Sequence, residues 1–184
     1  MDGSGTTIRH IQADEVEAFR RIRLEALRTE PSLFASRYED WEALSLEEWR
    51  NRLNEPVFIA FQGDEPVGIT GLVRQRSSKM AHRATIIMVY VRRSMRGTGL
   101  AGKLLSAVTD HARDIGILQL ELFVSAENPA AIRFYQREGF LRDRQDSRRG
   151  SGGGQGDRRR HDGSPFGRLG LTRMAQRISA CATY

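Results

Sequence analysis

Residues 86–105 read IIMVYVRRSMRGTGLAGKLL, and their order is strand, glycine loop, helix. Ile86 to Val91 is an unbroken apolar run rich in β-branched residues, as expected of a strand buried on both faces. Arg92 to Ser94 interrupt it with charge, and Arg96-Gly97-Thr98-Gly99 follow. Leu100, Leu104, Leu105 and Val108 then recur at helical spacing. A strand feeding a glycine turn into a helix start builds an anion site. The first N–H groups of a helix have no internal partner, and the macrodipole adds about half a positive charge there. Glycines at 97 and 99 remove the Cβ atoms that would hold a phosphate away from the backbone. The plain alternative is an ordinary strand-to-helix turn.

Three patterns compete for this loop. Gly97, Gly99 and Gly102 satisfy the dinucleotide spacing G-x-G-x-x-G. That reading also wants an acid about twenty residues on, at the end of a second strand, whereas Glu121 stands at the start of its strand. Gly102-Lys103 followed by Leu104 lacks the hydroxyl of a Walker loop. The third pattern, R-x-x-G-x-A, is present as Arg96, Gly99 and Ala101, and here the chain resembles the GCN5-related N-acetyltransferases (GNAT). A second block strengthens the resemblance. Asn128-Pro129-Ala130-Ala131 opens a helix carrying Phe134-Tyr135, and Gly139-Phe140 ends it, the family's N-x-x-A-x-x-x-Y-x-x-x-G-F. The likeness spans roughly residues 7–140.

The resemblance implies an α+β fold, a mixed antiparallel and parallel sheet flanked by helices, with acetyl-CoA entering where two parallel strands splay. It implies transfer of an acetyl group to a primary amine. By the same likeness, the backbone of Val89, Tyr90 and Val91 lines the pantetheine arm. Arg96, Gly97, Thr98, Gly99, Leu100, Ala101 and Gly102 hold the pyrophosphate, and Asn128 binds the arm. Arg96 either adds charge or is simply solvated. Asn128 is equally a helix N-cap before Pro129. Tyr135 is the candidate acid for the departing thiolate, with helix packing as its other role. No base is assigned. The ribosomal-protein-alanine branch of the family carries a Glu where this chain has Phe123. Glu121, Glu127, His82 and a water stay open. A non-catalytic acyl-CoA-binding domain is the alternative. The acceptor is expected to be a small molecule or peptide amine, with no metal, and a homodimer is allowed.

At 184 residues one domain with a full core is expected, and no apolar run approaches a membrane span. The start MDGSGTT lacks the features of a signal peptide, and one cysteine, Cys181, fits a reducing compartment, so the chain reads as cytoplasmic. The net charge of +6 sits wholly after residue 140; the first 140 residues hold 19 basic and 19 acidic side chains. The globular part therefore offers no electrostatic case for nucleic acid. A basic tail binding RNA is a further reading.

The remaining elements follow from pattern. A strand is expected over Thr7–Ile11, then a helix capped by Asp14 with Glu17 and stopped by Pro31. Ser32 to Ala43 reads as irregular, with Phe34, Tyr38 and Trp41 either covering an acceptor or packing the helix. Ser45 and Glu48 form a capping box. Val57–Phe61 and Val67–Val73 read as a hairpin, Leu118–Val124 as a strand. After Phe140 the apolar pattern stops. Residues 141–184 read as an Arg/Gly-rich tail without the two closing strands of the family, which would leave Leu118–Val124 an exposed edge. Read one nucleotide later, with suitable synonymous codons, QDSRRGSGGGQGDRRRHDGS becomes RTPAAVRVEGRVIVDATMV, a hairpin-like string. A frameshift near residues 141–145 is therefore expected, and the DNA sequence over codons 135–165 tests it.

Overall fold

The structure, a computed structural model, describes residues 5–142 and 171–178. The chain divides into two compact units, residues 1–120 with 177–184, and residues 121–176.

In the first unit, β1 (Thr6–His10), β2 (Val57–Gln62), β3 (Glu65–Arg74) and β4 (Arg83–Val91) form consecutive antiparallel neighbours. Alternation along the hairpin sends Ile59 and Phe61 to one face with Ile69, where α1 (Val16–Thr29) packs with Phe19, Ile22 and Ala26. Two short helices, α2 (Tyr38–Glu42) and α3 (Leu46–Arg52), supply Trp41 and Trp49 to the same cluster. Phe19 meets Trp49 edge-on at 5.2 Å and Trp41 at 6.2 Å. Each fully buried aromatic contributes about 1.5–3 kcal/mol, so this cluster fixes α1 against the sheet.

The Ser45–Glu48 capping box is present: Ser45 Oγ accepts from Glu48 N–H, and Glu48 accepts from Ser45 N–H at 2.7 Å. The box expected at Asp14 and Glu17 is not. A 3-10 turn at Ala13–Glu15 precedes α1, and it is Glu15 that accepts from the Gln12 N–H at 3.3 Å. The segment expected to be irregular contains α2, and Trp41 is buried in the core rather than held out for a ligand.

On the other face of the hairpin lies α4 (Leu100–Asp114). Gly68 lets it come close: a Cβ there would sit 2.9 Å from Leu104 Cδ1 and 3.2 Å from the Tyr90 carbonyl oxygen. At the end of α4, Gly116 takes the left-handed conformation foreseen for a helix stop (φ 77°).

The second unit holds most of β5 (Gln119–Ser125), then α5 (Pro129–Arg137), β6 (Leu141–Arg142) and β7 (Leu171–Arg177). β7 lies between β5 and β6. Its presence corrects the reading of the sequence after Phe140. Leu171, Met174 and Ile178 fall at helical spacing, and Thr172 is the strand's one β-branched residue, so pattern alone gave no strand signal. Tertiary pairing decides instead: Met174 is buried, and Arg173 pairs with Glu121. The expected exposed edge is likewise corrected, because β7 is hydrogen-bonded beside β5. The alternative-frame string and His161 fall between residues 143 and 170, and Cys181 lies beyond 178, all outside the described residues.

Candidate active site

Strand β4 is not regular. Ile69 opposes Tyr90 and Gly71 opposes Ile87, so two steps of β3 match three of β4. The extra residue forms a β-bulge, and Met88 stands at φ 56°, a conformation uncommon for any side chain but glycine. Gly71 makes room for it; a Cβ at Gly71 would lie 2.7 Å from Met88 Cε. A bulge leaves backbone groups unpaired beside the Val89–Val91 segment. The sequence offered one sign of this, the two glycines of β3 opposite an apolar run.

β4 passes through a 3-10 turn at Arg93–Met95 into the glycine loop. Gly97 (φ 81°) and Gly99 (φ 83°) are both left-handed, and Gly99 is the N-cap of α4. The first helical bond runs from Lys103 N–H to Gly99 O. The N–H groups of Leu100, Ala101 and Gly102 consequently have no partner inside the helix. Thr98 Oγ1 donates to Met95 O at 2.7 Å and tightens the turn. A Cβ at Gly97 or Gly99 would enter open space, with no atom beyond its chain neighbours within 4 Å. Unpaired N–H groups at a 15-residue helix, preceded by two glycines, fit a pyrophosphate.

Arg96 serves the loop from within. Its Nε donates to Val91 O at 3.1 Å and its Nη2 to Glu30 Oε1 at 2.8 Å. Arg93 Nε donates to the same oxygen at 2.9 Å. These two arginines, Arg93 first, hold the Glu30 carboxyl below the usual carboxylate range. Glu30 thus ties the end of α1 to both sides of the turn. The Tyr90 hydroxyl donates to Glu25 Oε1 at 3.0 Å and lies 3.2 Å from Thr29 Oγ1. Burial raises its pKa. Arg92 spans Glu25 (2.8 and 2.5 Å) and Glu65 (2.9 Å). This α1 side of the loop was missed in the sequence, although Arg21, Glu25 and Arg28 sit at helical spacing on one face of α1.

In the second unit, Asn128 caps α5, its Oδ1 accepting from Ala131 N–H at 3.0 Å, with Pro129 at the first helical position. The cap uses the oxygen and leaves the Nδ2 donors for another partner. Tyr135 is buried beside Phe134 (5.1 Å) and Phe140 (5.9 Å), and burial alone pushes its phenol pKa well up. The phenol therefore keeps its proton across the neutral range. Among the open bases, Glu121 is committed to Arg173 Nη2 at 2.6 Å and Nε at 3.1 Å. His82 is exposed and uses its carbonyl to accept from Leu118 and Gln119. Among the described residues no group of three or more His, Cys, Asp or Glu is placed to hold a metal.

Comparison with known proteins decides the family. The Acetyltransferase (GNAT) family profile matches residues 18–140. The chain belongs to the GNAT acetyltransferase family. It is similar to the mycothiol acetyltransferase of Brachybacterium faecium, 26% identical over 129 residues. That match covers 70% of this chain and 38% of the relative's length. Two solved structures share the fold. One is a GNAT acetyltransferase from Streptococcus pneumoniae, with TM-score 0.72 and 20% identity, covering 95% of this chain and 100% of that one. The other is yncA from Salmonella typhimurium with its cofactor acetyl-CoA, with TM-score 0.70 and 21% identity, covering 98% of both chains. The expected α+β fold of strands flanked by helices is therefore that of GNAT acetyltransferases. Among the described residues, no helix is long and apolar enough to cross a membrane.

Proposed function

We propose that the chain transfers the acetyl group of acetyl-CoA to a primary amine of a small molecule or peptide by direct attack. The observation that carries this reading is the bulge at Met88 followed by the left-handed glycine loop. One supplies backbone groups along Val89–Val91, the other a cradle of N–H donors from Gly97 to Gly102. Asn128 would add amide donors. Bound there, acetyl-CoA would supply an activated thioester.

The roles of the chain's own groups follow. Backbone N–H at the bulge would polarise the carbonyl oxygen, where negative charge develops. The amine must arrive neutral; its nitrogen forms the new C–N bond, the C–S bond breaks, and the surplus proton of the nitrogen passes to solvent. Tyr135 would hold a proton at Oη for the departing thiolate; burial keeps the phenol protonated and at the same time makes it a weaker acid. A Tyr135→Phe chain is then expected to lose about 10–100-fold in kcat with little change in KM. Steady-state release of CoA thiol measures both. An unchanged kcat would return Tyr135 to a packing role.

Glu121 is consumed by Arg173, and Phe123 stands where a family branch has its Glu. That favours a second reading, a non-catalytic acyl-CoA-binding domain. Thiol release that rises with added amine supports the transferase; acetyl-CoA binding without amine-dependent release supports the second reading.

A further inference from the structure

Two adjoining clefts lie along one face of α1. The larger, about 360 Å³, is lined by Arg21, Glu25, Arg28, Thr29, Glu65 and Arg92 among others. The second, about 340 Å³, shares Glu25, Thr29 and Arg92 and reaches Tyr90. Tyr90 belongs to the β4 segment proposed to carry the pantetheine arm, so the clefts open beside the place where an acetyl group would be presented.

Their charge is informative. Glu25 is neutralised by Arg92, and Glu65 by Arg92 and by Arg21 at 2.6 Å. Arg28 is the surplus. Its guanidinium lies 4.8 Å over the Tyr38 ring and donates to the Tyr38 hydroxyl, which in turn donates to Glu42 Oε1 at 2.8 Å. Among the described residues no carboxylate pairs directly with Arg28. A cationic acceptor tail would meet repulsion there. An anionic tail would find a planar fork of donors already oriented by an aromatic ring.

We propose that these clefts receive the acceptor, and that Arg28 selects amines carrying a separate anionic group, carboxylate or phosphate. The inference rests on the acetyl-transfer reading. It names no new bond; the anion stays bound to Arg28 while the amine reacts.

The test compares paired acceptors: lysine against lysinamide, and glucosamine 6-phosphate against glucosamine. CoA-thiol release is followed with the native chain, Arg28→Gln and Arg28→Lys. The native chain should favour the anionic member by about tenfold or more in kcat/KM. Arg28→Gln should bring the pair within about twofold, chiefly through a rise in KM for the anionic member. Arg28→Lys should recover part of the preference. The lysine and sugar pairs tell a carboxylate preference from a phosphate one. Equal use of both members, or a preference that survives Arg28→Gln, overturns the inference.

If acetyl-CoA binds but no amine reacts, the melting temperature with CoA and Nε-acetyl-lysine, or its amide, decides. A rise with the carboxylate form alone, lost in Arg28→Gln, upholds the cleft assignment; no difference overturns it. If acetyl-CoA does not bind, the acetyl-transfer reading fails by itself, and the same melting comparison without CoA judges Arg28.

Discussion

A Gly99→Val chain should lose at least about a hundredfold in acetyl-CoA affinity, roughly 2.7 kcal/mol. Two effects act together. Gly99 holds φ at 83°, where a β-branched side chain costs about 1–3 kcal/mol. The valine methyls would also fill open space at the N-cap of α4, beside the start of the proposed pyrophosphate cradle. The stability cost and the binding cost are separable. Gly116 has φ 77° and equally open surroundings at the other end of α4. Gly116→Val should lower the melting temperature comparably yet leave acetyl-CoA affinity unchanged. Calorimetry on both variants makes the comparison. If Gly99→Val and Gly116→Val weaken binding alike, the loop is not the pyrophosphate site.

Removal of residues 171–184 should abolish cooperative unfolding. The deletion strips β7 from the strands on either side of it. It removes the buried Met174 and Ile178, each worth about 1.5–3 kcal/mol. It also leaves Glu121, 9% exposed in its side chain, without Arg173. Breaking a buried pair on one side costs about 3–5 kcal/mol, somewhat less here because Arg173 is 29% exposed. The sum rivals the roughly 5–15 kcal/mol that holds a whole domain together. A bare β5 edge would then favour aggregation. Thermal melting followed by circular dichroism reads the outcome. A sharp transition at an unchanged temperature would mean that β7 contributes nothing to the fold.

The contrast between these two segments shows what was legible in the sequence. The loop from Val91 to Gly102 could be read because its chemistry is local. Glycines at fixed offsets and an apolar period starting at Leu100 specify strand, turn and helix without knowledge of anything distant. Asn128-Pro129 is local in the same way, and the structure places Asn128 as the cap of α5. β7 could not be read, since LTRMAQR becomes a strand only through what it pairs with. The charge network of α1 was hidden for a related reason. Glu25 and Arg92 are 67 positions apart, and no spacing rule connects them. The bulge was not read either: Gly68 and Gly71 are visible in the sequence of β3, but the close approaches they allow, and the left-handed conformation of Met88, come from the fold.

The roles proposed for Tyr135, Asn128 and the Arg96–Gly102 loop carry a single expectation, that this chain as it stands binds acetyl-CoA. Isothermal calorimetric titration of the full chain with acetyl-CoA tests that most directly. The account predicts one site per chain with affinity in the micromolar range, similar to ordinary KM values. A folded, cooperatively melting chain that gives no binding heat at any of several temperatures would contradict it.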